Sequence, residues 1–189
     1  LGFVLVIATL GLVIIVSKSV QKSEKPKNSE SSIPQNQSQI AKTASLMFAS
    51  KTYVAQAATS IPNTIDILID TQQTPISGAQ IEISYDSKVL TDVKIIPPNN
   101  NSFFGTQENY FVLFNETDQQ NGRVSYAIAI APSAQEIKGR GSIGTLSFNS
   151  ANLENETQIT ILDKSMVSRI GTQESLLNAG ASIIISPSQ

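Results

Sequence analysis

The sequence predicts an all-β fold of two packed sheets, a sandwich or jelly roll, placed after an apolar N-terminal run and a polar linker. Three observations lead there. Short segments alternate apolar and polar residues, clusters of turn-forming residues separate them, and no stretch after Val16 keeps a helical period for three turns. Eight or nine short strands at this spacing suit two packed sheets better than a small barrel.

The elements follow in order. Leu1 to Val16 carries no charge and only Thr9 as a polar side chain, and the chain opens on Leu, so residues 1–17 are expected to be a transmembrane anchor truncated at its start. A cleavable signal would want small residues of A-x-A type soon after the run, where Ser17-Lys18-Ser19-Val20 stands instead. A type IV pilin helix would need to pass through Lys25-Pro26, where proline removes a helix donor. Lys18, Lys22, Lys25 and Lys27 form a positive flank that favours the cytoplasm, yet large domains translocate largely regardless of such charge. The β-rich part is therefore expected outside the cell, on a single-pass membrane protein. Residues 18–43 are rich in Lys, Ser, Gln, Asn and Pro, with almost no apolar side chain to offset the entropy of ordering them; they read as a disordered polar linker.

Residues 44–187 hold the strands. Ile65, Ile67 and Ile69 share one face of Thr64–Asp70, and Ala79–Tyr85 alternates throughout. Val124, Tyr126, Ile128 and Ile130 lie on one side of the next clear strand, and Asn121-Gly122 before it favours a tight hairpin from Tyr110–Phe114. Further strands are expected near Leu46–Phe48, Val93–Ile96, Ile143–Phe148, Thr157–Leu162 and Ala181–Ile185.

Composition excludes much chemistry. With no His and no Cys, the chain lacks imidazole bases, thiol nucleophiles and the usual ligands of zinc, haem and iron–sulfur clusters. A net charge of -2 with 15% charged residues gives no basic surface for nucleic acid. Asp66 and Asp70 read as the solvated side of a strand rather than as a glycosidase pair. Asp118-Gln119-Gln120-Asn121-Gly122 suggests a calcium loop only superficially and suits a hairpin turn better. The sequons at Asn36, Asn100, Asn115 and Asn155 show exposure at most. No enzyme, cofactor or metal follows from these residues.

Tyr85-Asp86-Ser87-Lys88-Val89-Leu90 is more informative: an aromatic ends a strand, Asp86 can cap the turn, and Val89-Leu90 return the chain to the core. Together with Ile76–Gln80 before it and Gly139–Phe148 later, it resembles the cohesin family, in which a strand ends in Tyr-Asp-Pro-x-x-Leu and a later strand runs from glycine through small or apolar residues to Phe. Ser87 replaces the usual proline. The likeness spans about Ala44 to Pro187. It implies a nine-stranded jelly-roll β-sandwich that is not an enzyme and binds a dockerin-like module, the calcium being held by the partner, in complexes that process polysaccharide. It implies a binding face formed by the strand ending in Tyr85, the strand Arg123–Ile130 and the later strand ending in Phe148, with Gln80 where type I members often carry an acid.

Alternation gives a compatible surface. With Ile81, Ile83 and Tyr85 inward, Gln80, Glu82 and Ser84 point outward, as do Ser125, Ala127 and Ala129. These six are the candidate partner-binding residues, with Tyr85, Asp86 and Leu90 as the structural motif. The alternative is a module that binds polysaccharide directly, for which Tyr110, Phe103 and Phe104 would have to be exposed.

Overall fold

The alternating segments are strands in a computed structural model of the chain, which describes residues 41–56, 61–99, 102–150 and 153–188. The anchor expected over 1–17 and nearly all of the linker lie outside these residues. Among the described residues no helix is long and apolar enough to cross a membrane.

The described strands number eleven, two more than expected: β1 (Ser45–Phe48), β2 (Thr52–Ala55), β3 (Asn63–Asp70), β4 (Gly78–Ser84), β5 (Thr91–Ile96), β6 (Tyr110–Asp118), β7 (Arg123–Ile130), β8 (Arg140–Asn149), β9 (Thr157–Ile161), β10 (Met166–Ser168) and β11 (Ser182–Pro187). The additions are β2 and β10, of four and three residues.

The strands form a four-stranded sheet, β1-β3-β8-β5, and a seven-stranded sheet, β2-β11-β9-β4-β7-β6, in which β10 also pairs with β4. Pairing is antiparallel except between β2 and β11. Ile65, Ile67 and Ile69 of β3 meet Ile81, Ile83, Val124 and Ile128 of the other sheet in one buried core. This is the period-two burial expected of sheets covered on one face.

One expected grouping is corrected. The strand ending in Phe148 is β8, which pairs with β3 and β5 in the four-stranded sheet and so does not join β4 and β7 in one surface. Alternation shows that Leu146 and Phe148 point inward, and both are fully buried, but it carries no information about which sheet supplies the strand.

The Tyr85 motif closes the lower end of β4. Tyr85 donates its backbone N–H to the Gly122 carbonyl at 3.0 Å and its hydroxyl to Gln119 Oε1 at 3.0 Å. Asp86 Oδ1 accepts from Lys88 N at 2.9 Å, the Asp86 carbonyl accepts from Leu90 N at 3.0 Å, and Leu90 is wholly buried. The Asp118 carboxylate accepts from Asn121 N and Nδ2 at 3.0 and 2.7 Å, a turn cap between β6 and β7 as the sequence suggests. Gly122 completes that turn with φ of +61°, and a Cβ there would lie 2.2 Å from the Tyr85 carbonyl oxygen. Gly122→Ala is therefore expected to cost about 2–4 kcal/mol in urea denaturation, because strain and clash combine. Gly171→Ala, at φ +78° with open space around it, should cost only about 1 kcal/mol. Equal losses at the two sites would show that the Tyr85 contact is irrelevant.

Candidate partner-binding face

The register of β4 and β7 brings the six candidate residues together. Gly78 lies opposite Ala129, Gln80 opposite Ala127, Glu82 opposite Ser125, and Ser84 opposite Arg123. Directly opposed residues project to the same side, so these side chains share the outer face of the seven-stranded sheet.

The neighbouring strands add what the alternation missed. On β6, Phe111 stands opposite Ala129 and Phe114 opposite Ala127, and a bulge between Val112 and Phe114 pushes Leu113 out of the ladder. Phe111 is 54% exposed and Leu113 64%. On the other side β10 sets Met166, 41% exposed, opposite Gln80. Between these walls lies a shallow hollow of about 170 Å³, bordered by Leu113, Phe114 and Met166 and floored by Gly78, Ala127 and Ala129. Ala127 itself is buried at 4%, so the floor is set by small side chains that bring the backbone near the surface. The uninterrupted apolar run Tyr110–Phe114 was the available signal, since a strand buried on one side alone alternates.

Beside the hollow stands Glu82, opposite Ser125. It faces outward, yet only 8% of it is exposed. Gln80 Nε2 donates to Oε1 at 2.8 Å, Ser125 Oγ donates to Oε2 at 2.8 Å, and Lys164 Nζ stands 3.1 Å from Oε2. Burial raises the carboxyl pKa, but the hydrogen bonds from Gln80, Ser125 and Lys164 and the ammonium charge together outweigh it and hold Glu82 below the ordinary glutamate value.

Lys164 arrives there through a break in the sheet. β9 and β10 run along the same edge of β4, and residues 162–165 leave the sheet between them, opposite Glu82. The turn satisfies the Glu82 backbone: Leu162 N donates to the Glu82 carbonyl at 2.7 Å, and Glu82 N donates to Ser165 Oγ at 3.0 Å. Sequence periodicity has no means of showing such a contact.

The remaining candidates sit elsewhere. Tyr110, Phe103 and Phe104 are buried at 5, 8 and 0%, which removes the aromatic platform that direct sugar binding needed. Their rings fill the core end where the chain enters β6. Asp66 accepts from Thr145 Oγ1 at 2.7 Å and Asp70 from Gln72 N at 2.9 Å, structural contacts on the four-stranded sheet. Around the edge of β6 an open groove of about 910 Å³ runs between Ile96-Pro97-Pro98 and Tyr110-Phe111-Val112. Among the described residues no group of three or more carboxylates could hold a metal ion.

No family model matches the sequence, and no curated protein matches it. Solved structures do. The complex of the cohesin CaCohA2 with a variant of the dockerin CaDoc0917 gives a TM-score of 0.58 at 17% identity, over 77% of this chain and 100% of that one. CaCohA2 from Clostridium acetobutylicum in solution gives 0.57 at 18%, over 76% and 91%. The cohesin module of a Clostridium perfringens family 33 glycoside hydrolase gives 0.52 at 13%, over 78% and 100%. The fold is a cohesin fold. At identities of 13 to 18% the likeness shows the fold alone, so the face must be judged on its own residues.

Because the folded Glu82 pKa is depressed, its network contributes stability above the unfolded glutamate pKa and loses it as pH falls through the folded value. The stability advantage of the wild type over Glu82→Gln should therefore shrink on acidification from neutral pH to about pH 3, as read by melting temperature. A constant difference across that range would show that the Glu82 charge is immaterial.

Proposed function

We propose that this chain is a non-catalytic binding module that receives a dockerin-type helical protein on the outer face of β4, β7 and β6. The observation that carries the reading is the apolar hollow floored by Gly78, Ala127 and Ala129 between exposed Leu113 and Met166. Small residues let a helix approach closely, and the polar Gln80, Glu82, Ser84 and Ser125 beside the apolar hollow add hydrogen-bonding groups of the kind a protein interface uses. The complex of CaCohA2 with CaDoc0917, and that of the third ScaB cohesin of R. flavefaciens with a group 1 dockerin, support the choice of partner. Calcium belongs to the partner in this reading. The module gathers dockerin-bearing proteins, polysaccharide-processing enzymes among them, at a cell surface.

We place residues 1–17 in a membrane and 18–43 as the tether, with the sandwich outside the cell.

Titration with calcium-loaded dockerin modules encoded in the same genome tests the interface. Binding should occur, weaken at least about tenfold in Leu113→Asp and in Ala129→Arg, and vanish in EDTA while the melting temperature of this chain stays unchanged. Binding by none of them, or binding indifferent to both substitutions, overturns the reading. Protease applied to intact cells tests the placement: cleavage within 18–43 should release a stable domain, and protection until the membrane is opened would put the sandwich in the cytoplasm.

A further inference from the structure

We infer that Lys164 is a specificity-determining residue of this face: by holding Glu82 as its own counter-ion, it removes the central carboxylate as a receptor for a partner's cation and presents positive charge there instead. The inference rests on the reading of β4, β7 and β6 as the docking surface.

The geometry gives the reason. Glu82 sits on the centre line of the face, opposite Ser125 and next in line to the Gln80–Ala127 pair that borders the hollow. With its oxygens held by Gln80 and Ser125 at 2.8 Å and by Lys164 at 3.1 Å, it has little capacity left for another donor. Its side chain is 10% exposed, whereas that of Lys164 is 62% exposed. A partner arriving over the centre therefore meets the ammonium first. A Lys or Arg placed there meets a like charge while its attraction to Glu82 is already cancelled, whereas a carboxylate, a hydroxyl or a carbonyl gains a donor.

Lys164 is not an incidental surface cation. The turn that carries it is fixed to the Glu82 backbone at both ends, by Leu162 N to the Glu82 carbonyl and by Glu82 N to Ser165 Oγ, and Ser165 N donates to the Leu162 carbonyl at 2.9 Å. Ser165 is buried at 2%. The lysine stem thus starts from a rigid point, which lowers the entropy lost when the ammonium is held in one place. The charged side chains of β6 and β7 that share this face, Glu116, Asp118 and Arg123, lie in register with Ser125 or beyond it, toward the Tyr85 end and away from the hollow.

The experiment uses two forms of one calcium-loaded dockerin module from the same genome, differing only in Lys or Glu at the helix position that crosslinks to residue 164. Each is titrated calorimetrically into wild type, Lys164→Gln, Lys164→Arg and Glu82→Gln. Wild type and Lys164→Arg should prefer the Glu form by at least about fivefold, and Lys164→Gln should reverse the preference toward the Lys form, because the freed carboxylate then faces the partner. Glu82→Gln should widen the wild-type preference, since the ammonium loses its counter-ion. A cooperative melt in Lys164→Gln, with no more than the small loss expected on removing one exposed ion pair, separates this from a folding defect, and a Glu82 carboxyl pKa raised in that variant, read by nuclear magnetic resonance, confirms that the pair was intact. A preference identical in wild type and Lys164→Gln overturns the inference while leaving the docking face standing. Failure of wild type and every variant to bind either form overturns the docking face and the inference with it.

Discussion

Everything on the proposed binding face depends on the one-sided burial of β4. Ala79, Ile81 and Ile83 are sealed against the opposite sheet, so Gly78, Gln80, Glu82 and Ser84 have no choice but to face out. A slip of one residue against β7 would place Glu82 among isoleucines and expose Ile81 or Ile83. Desolvating an unpaired carboxylate costs far more than any ladder hydrogen bond returns, so the register is specified by the core rather than by the surface. Tyr85 and Gly122 close the lower end of that register, where the backbone bond between them leaves no room for a side chain on residue 122.

The same strand explains the polar cluster. A continuous strand alongside β4 would have satisfied the Glu82 N–H and carbonyl but would have carried no cation to its carboxylate. The split into β9 and β10 instead hands the two backbone groups to Leu162 and Ser165 and lifts Lys164 over the face. Both jobs are done by one four-residue excursion. A carboxylate only 8% exposed is tolerable because three donors converge on it.

Periodicity in the sequence was enough to locate nine of the strands, the side of β4 and β7 that faces out, and the turn roles of Asp86 and Asp118, because each of these is a local property of spacing and residue type. It failed where the deciding partner is distant in sequence. Phe148 looks the same whether its strand sits in one sheet or the other, and only pairing with Ile65-containing β3 assigns it. Phe103, Phe104 and Tyr110 are aromatic residues beside a proline- and asparagine-rich turn, an address that normally means exposure, yet the first two pack edge to face with ring centroids 5.1 Å apart and all three are buried. Lys164 and Glu82 are separated by 82 positions, and no pattern within either segment announces the other.

The edge strand β6 supports the proposal that the apolar half of the face receives a partner. Edge strands invite unwanted pairing, and proteins blunt them with charge, bulges and anchored polar side chains. β6 uses all three, but unevenly. Its second half carries Glu116 and Asp118, and Asn115 donates Nδ2 to the Ile95 carbonyl at 2.7 Å, tying the edge to β5. Its first half carries Phe111, Val112 and Leu113, all exposed, and the bulge at Leu113 turns that side chain toward Ala127 rather than hiding it. Charging residues 111 and 113 would have protected the whole edge at no cost to the core, since neither side chain is buried. That protection stops at the bulge, where exposed Leu113 borders the hollow while Phe111 and Val112 line the neighbouring groove beside Ile96 and Pro97, so the unprotected apolar stretch is continuous with both concave surfaces.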